Sequence, residues 1–438
     1  MIGFNKVRLS LCMIVKNEAS CLAGCLRSVQ GLVDEIIIVD TGSTDGTKDI
    51  AASFGAKAVD FVWQDDFSAA RNESLKHATG DWILVLDADE VISSKDHTSI
   101  REAMTSSSFE ASDISETSAS SETSDTSKTS ETSRVSDNSK NSRIIAYRLV
   151  QRNYTDDFSL ANWVSSQNDS YEESKCAHGW DPNPIFRLFR NGKGIFFEGR
   201  VHECVDKSVA RLLSGGLSSG SLPLGSLSPR ILSSGGLASG CKWADLTIPI
   251  HHLGYAGLAG SAGSAKRKEK LLFYKGLAEK AVRENPLNTK AKLELASCHY
   301  DSGNFKEALC CLQEALKIDQ LFHQARVMEG TCHLQLQQFD EAKAVFQKCL
   351  AEGVRTSEVY GGLGLICIAE KNHQDAIDFF IKAIERNPTN ASYHYNIAQL
   401  FQMIGEMEKA YRAAMNAVAL NPVYRRFVEL EGSGDEKK

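Results

Sequence analysis

One period fixes the architecture of the last third of this 438-residue chain. Ala296, Gly330, Gly364 and Ala398 recur every 34 positions, as do Ala308, Ala342, Ala376 and Ala410, and as do Pro286, Gln320, Val354, Pro388 and Pro422. Small residues in two of these columns mark places where helices press closely together. Apolar Phe305, Phe339 and Met407 keep the same register, and Asn-Pro closes two units at 387–388 and 421–422. A plain helical bundle has no reason to hold one period in several columns, whereas stacked copies of a helix pair do. Four units fit between about residues 287 and 422. Residues 256–286 then serve as linker and half-repeat helix (near 266–285), and 423–438 as a C-terminal cap and tail.

The period and its small-residue columns resemble the tetratricopeptide repeat, which implies an all-α solenoid with a concave groove. The first hundred residues obey another rule. LSLCMIV (9–15), EIIIVD (35–40), AKAVDFV (56–62) and DWILVLD (81–87) are short runs rich in Val and Ile, alternating with helical stretches at 19–29, 45–54 and 68–78. Strands covered on both faces read as continuous apolar runs, so this pattern predicts a mostly parallel, Rossmann-like α/β sheet. Strand-like text returns at 144–152, twice within 186–203 (Gly194–His202 being the second run), and at 246–251. Two segments interrupt it. From Thr105 to Ser142, 21 of 38 residues are Ser or Thr, and Leu213–Gly240 is Ser, Gly and Leu in near-repeats. Such tracts bury too little apolar surface to offset chain entropy, so both read as insertions, at about 105–142 and 213–240, in one domain spanning 1–255.

Charge and cysteine usage narrow the function. With 49 basic and 56 acidic residues the formal charge is −7, which excludes a dedicated nucleic-acid binder and means that an anionic ligand needs local help. No apolar run approaches the length of a membrane span, and the opening segment reaches Lys16, Asn17 and Glu18 with no small-residue cleavage site. Twelve scattered cysteines without a CxxC pair read as free thiols, mostly buried, and a cytoplasmic setting is expected.

Ligands of an open parallel sheet bind beyond the carboxyl ends of its strands. Three polar clusters stand there: Val15-Lys16-Asn17-Glu18, Asp40 to Gly46, and Asp87-Ala88-Asp89-Glu90. Asp87 and Asp89 form a D-x-D motif able to share a divalent ion with a diphosphate. Asp40-Thr41-Gly42 also opens the active site of aspartic proteases, with Asp301-Ser302-Gly303 as a conceivable second half. That reading fails, because one motif ends a parallel strand and the other lies in a helical repeat turn.

Taken in order, CMIVKNE (12–18), IVDTGSTDGT (38–47), DFSAARN (66–72) and GDWILVLDADE (80–90) resemble the inverting family 2 glycosyltransferases of GT-A fold, and PIFRLFRNGKGIFFEGRVHE (184–203) and IPIHHLGY (248–255) extend the likeness. The resemblance implies a nucleotide-sugar donor, probed first as a UDP-sugar, and Mn²⁺ or Mg²⁺. It implies that the backbone at Val15 and the carboxylate of Asp40 hold the base, that Arg71 contacts base or phosphates, that Asp87 lies near ribose and metal, and that Asp89 ligates the metal. Asp40 has a second reading as an Asx turn before the next helix, and Arg71 one as a surface ion pair. Inverting transfer needs a base opposite the leaving group. Glu203 is the candidate, with its neighbour His202 as the rival. His252 is the candidate third metal ligand, with His251 as its rival, and Trp63 and Trp180 read as core rather than sugar platforms. The acceptor, whether peptide, glycan or lipid-linked, and any protein partner are expected in the repeat groove. The rival from another class is a catalytically inactive scaffold, against which intact Asp40, Asp87, Asp89 and Glu203 weigh. A nucleotidyltransferase is disfavoured because Lys16-Asn17-Glu18 replaces a Gly-rich basic loop.

Overall fold

Alternation along β1 (Leu9–Val15) creates the two layers of the N-terminal domain. Leu9, Leu11 and Met13 join one buried cluster with Trp82 and Leu84, whereas Cys12 joins another with Ile37, Ile83 and Val85. A strand covered on both faces needs apolar residues at every position, which explains the uninterrupted run. Strands β2 (Glu35–Asp40), β3 (Lys57–Asp60) and β4 (Trp82–Val85) all lie parallel with it. Helices α1 (Leu22–Ser28), α2 (Thr47–Ser53) and α3 (Phe67–His77) make the connections. The domain continues through β5 (Glu90–Val91), α4 (His97–Ser106), β6 (Arg143–Thr155), β7 (Val164–Ser165), β8 (Gly179–Arg190), α5 (Asp206–Leu213) and β9 (Cys241–His252). The sheet order is β3-β2-β1-β4-β8-β6-β9-β5, with β7 paired to β8. It is mixed: β8 runs antiparallel to both β4 and β6, while β9 returns parallel to β6.

The computed structural model describes residues 6–106, 143–157, 160, 162–201, 203–213, 241–254 and 261–425. His202, nearly all of both insertions and the tail from residue 426 lie outside the described residues. Among the described residues one expected strand is absent. The run at 194–202 forms only the isolated bridge Glu198–Cys204, because Gly192, Gly194 and Gly199 adopt φ of 65°, 76° and 111°, left-handed values that break an extended ladder. Its alternating apolar residues nonetheless face inward, Ile195 and Phe197 packing with Val205 and Val209.

After α6 (Ser261–Glu284) come four helix pairs: α7 (Thr289–Asp301) with α8 (Phe305–Ile318), α9 (His323–Gln335) with α10 (Phe339–Ala351), α11 (Ser357–Ala369) with α12 (His373–Arg386), and α13 (Ala391–Met403) with α14 (Met407–Leu420). The small-residue columns lie where helices cross. A Cβ on Gly330 would stand 2.6 Å from the Phe346 ring, and one on Gly364 2.8 Å from Phe380. Ala308, Ala342 and Ala376 are fully buried. No helix among the described residues is long and apolar enough to cross a membrane, and all twelve cysteines are free, six of them buried.

The array meets the sheet domain near its start and again farther along. Near its start, Val201 is buried with Leu277, Ala278 and Leu295, flanked by Trp63, Phe67 and Tyr274, and Lys280 pairs with Asp65. Farther along, Asn387 Nδ2 donates to Asn162 Oδ1 at 2.7 Å. Between them lies a cleft of about 1740 Å³, walled by the strand ends and by α7 and α9.

Candidate active site

The first two strand ends are stapled to each other. Val15 O accepts from Thr41 N at 3.0 Å and from Thr41 Oγ1 at 3.1 Å. Asn17, at a left-handed φ of 56°, accepts on Oδ1 from Thr44 N at 2.8 Å, and its own N–H donates to Ser43 Oγ at 2.9 Å. Asp40 Oδ1 accepts from Gly42 N (2.9 Å) and Ser43 N (2.8 Å), the Asx geometry anticipated for it. Its Oδ2 is buried without a hydrogen-bond partner, so one oxygen shapes the turn and the other remains available to a donor group. Burial opposes the charge on Asp40, but the bonds from Ser43 and Gly42 and the nearby Lys48 outweigh it and hold the carboxyl below its usual range.

Beyond β4 a chain of ions runs through the cleft wall. Arg71, projecting from α3, donates through Nε to Glu203 Oε1 at 3.0 Å and through Nη2 to Asp87 Oδ1. Arg187 Nη2, from β8, donates to Asp87 Oδ2 at 3.1 Å and to Glu90 Oε1 at 3.0 Å. Glu90 in turn accepts from Asp87 N at 2.7 Å and from Gln151, which is held by Asn183 at 2.9 Å. Burial raises the carboxyl of Asp87, but the two guanidinium charges win and keep it well below the ordinary range. Burial prevails at Glu90, which Arg187 only partly offsets. Both oxygens of Asp87 thus face arginines, Oδ1 towards Arg71 and Oδ2 towards Arg187. Arg71 is no surface ion pair, being 4% exposed with Nη1 lacking a hydrogen-bond partner.

Asp89 and His252 are brought together by backbone. Glu90 pairs with His252 across β5 and β9, and Leu253 N donates to Asp89 O at 2.9 Å. His252 Nε2 then lies 3.1 Å from Asp89 Oδ2, with Nδ1 fixed 2.7 Å from Asn153 Oδ1. Burial disfavours its charge, yet the bond to Asp89 and the surrounding carboxylates hold its pKa above the usual histidine value. A Cβ on Gly254 would collide with Asp89 Oδ2 and approach His252 Nε2 to 3.0 Å, so glycine keeps this cradle open. Strand alternation sends His251 the opposite way. It is fully buried, 2.7 Å from the Tyr154 hydroxyl, with a pKa pushed down to about 4, chiefly by burial. Among the described residues no three His, Cys, Asp or Glu side chains form a ready metal cage. One carboxylate, one imidazole and a cradle that a methyl group would fill nonetheless suit a hard or borderline divalent ion completed by ligand oxygens.

Arg187 and Glu90 were not singled out in the sequence. Their signal is an arginine inside the apolar run IFRLF (185–189) and an acidic residue directly after the D-x-D motif. Trp63 lines the cleft in edge contact with Phe67 (4.9 Å), and Trp180 lies under the Arg152 guanidinium at 4.5 Å.

The Glycosyl transferase family 2 profile matches residues 10–161, and tetratricopeptide-repeat profiles match 327–391 and 379–412. A TPR repeat-containing protein of Synechococcus elongatus is 52% identical over 103 residues, 24% of this chain and 26% of that protein. An uncharacterized glycosyltransferase of Rickettsia felis is 43% identical over 91 residues, 20% of this chain and 30% of its own. The chain thus spans less than a third of the length of either relative. The crystal structure of MamA matches 38% of this chain and 98% of its own, at 20% identity and a TM-score of 0.33.

Proposed function

Because the chain carries a Glycosyl transferase family 2 domain at residues 10–161 followed by tetratricopeptide repeats, we propose that it is an inverting, metal-dependent glycosyltransferase. It takes a sugar from a uridine diphosphate donor and hands it to an acceptor docked along the repeats. One observation carries this reading: the Asp89–His252 cradle and the Glu203–Arg71–Asp87 chain line the same cleft. A manganese or magnesium ion bound there would be held by Asp89 and His252 and would supply positive charge against the departing diphosphate. Asp40 Oδ2 accepts the ring N–H of the base beside the Val15 strand end, and Arg71 offers Nη1 to the phosphates. Asp87 acts through the arginines that grip it, keeping both cations in place near the ribose.

Glu203 takes the proton of the acceptor hydroxyl while that oxygen bonds to the anomeric carbon. The bond from this carbon to the diphosphate breaks, its electron pair leaves with the nucleoside diphosphate, and attack from the opposite face inverts the centre. The acceptor lies against the repeat side of the cleft, where Leu293, Glu294, Phe322 and Met328 face the strand ends. Binding of uridine diphosphate by calorimetry with and without manganese tests the core of the reading. Wild type should bind more tightly with the metal, and Asp89→Ala should lose that gain while keeping its circular dichroism. An unchanged metal response in Asp89→Ala sinks the metal assignment.

A further inference from the structure

The loop bearing Glu203 is held from two sides. On the sheet side, Asn72 Nδ2 donates to Phe197 O at 2.9 Å, Asn72 Oδ1 accepts from Phe197 N at 2.8 Å, and Phe67 N donates to Arg200 O at 3.0 Å. On the other side the grip comes from the repeat array. Glu198 and Cys204 close the loop by exchanging backbone bonds of 3.0 and 3.1 Å. Lys290 Nζ, in the first turn of α7, donates to the same Glu198 carbonyl at 3.0 Å. Arg200 Nη1 meets Glu284 of α6 at 2.5 Å, and Val201 is buried among Leu277, Ala278 and Leu295.

From this we infer that the first repeat is part of the catalytic centre, with Lys290 as a positioning residue for Glu203; the inference rests on the reading of Glu203 as the base. Among the described residues the loop has no strand pairing beyond the Glu198–Cys204 bridge, and left-handed glycines interrupt it, so contacts from outside help fix its shape. A carbonyl oxygen has two lone pairs; here one takes Cys204 N–H and the other an ammonium, a charge-assisted bond stronger than its neutral counterpart. Glu203 immediately precedes Cys204. A shift of this closure changes where its carboxylate stands relative to Arg71, and misplacement by about 1 Å can cost about a hundredfold in rate. Lys290, Leu293 and Glu294 also line the cleft, so an acceptor lying along α7 bears on the helix that holds the base. Occupancy of the repeat wall and turnover are thereby coupled through α7, with Lys290 as the polar link and Leu295 as the apolar one.

The test uses the full chain with Mn²⁺ and UDP-glucose, UDP-galactose and UDP-N-acetylglucosamine as probes, water serving as acceptor and release of uridine diphosphate being measured. Lys290→Met should lower kcat for hydrolysis about tenfold while leaving the donor KM within about twofold. Lys290→Arg, which restores a charged donor, should recover most of the rate. Hydrogen exchange on the free proteins should rise in 197–205 for Lys290→Met and stay at the wild-type level elsewhere in the sheet domain. Unchanged exchange in that loop, unchanged kcat, or a loss confined to donor KM overturns the inference. Glu203→Gln measured in parallel separates the two claims: normal turnover there removes Glu203 as the base, whereas the exchange result still reports whether Lys290 holds the loop.

Discussion

Arg187 shows how much of the site depends on one buried cation. It is 5% exposed, reaches two carboxylates, and one of these, Glu90, has no solvent exposure at all. Replacing such a cation leaves a buried charge uncompensated, which costs far more than a surface pair is worth. Arg187→Met is therefore expected to destabilise the protein by about 3 kcal/mol or more, read as a fall in the urea midpoint. An unchanged midpoint would mean that water or Gln151 takes over the load. At this scale the sequence was informative where chemistry is local. Asp89, His252, Glu203 and Arg71 stand in the motifs that carry the family resemblance, and the structure brings them to one cleft. The partners of Asp87 were not legible, because Arg71 lies 16 residues away and Arg187 100, and only the sheet order makes them neighbours.

Elements were legible in proportion to how continuous their burial is. The apolar runs of β1, β2 and β4 and the 34-residue columns survive into the fold because each position has one packing partner that the period repeats. Residues 194–202 misled for the converse reason: their apolar alternation is genuine, but left-handed Gly194 and Gly199, with Gly192 just before them, bend the chain so that inward residues pack without a ladder. Glycine columns in the repeats carry the opposite message, since there the missing side chain makes room for a ring. Gly364→Val would drive branched carbons into Phe380 from a starting distance of 2.8 Å. Overpacking of this kind costs about 1–3 kcal/mol, so thermal unfolding of Gly364→Val should begin at lower temperature than that of wild type. A midpoint equal to wild type would show that the helices separate there without penalty, and that the column reflects something other than close crossing.

Across the whole molecule, the boundary drawn from the 34-residue period is not a mechanical boundary. Residues from both sides of Pro286 share one small core, Val201 and Leu277 with Leu295, and Lys290 reaches back across it to the Glu198 carbonyl. A solenoid couples each repeat mainly to its neighbours, so removing repeats from the far end should act differently from removing all of them. Two truncations put this to the test. A chain ending after Gln320 retains α7 and α8 and hence the grip on the Glu203 loop; it is expected to hydrolyse a UDP-sugar within about threefold of the full chain, because the loop carrying the proposed base keeps its support. A chain ending after Pro286 loses Leu295 and Lys290 together and should hydrolyse at least about tenfold more slowly, although Asp40, Arg71, Asp89 and His252 are all retained. Uridine diphosphate affinity should be similar in both. Each cut bares apolar surface, Leu309 and Leu312 in the longer chain and Leu277 in the shorter, so both proteins must run as single species in size-exclusion chromatography before rates are compared. Equal hydrolysis by the two chains would confine the repeats to docking, whereas a loss that appears only when the first repeat is removed marks that repeat as a wall of the active site.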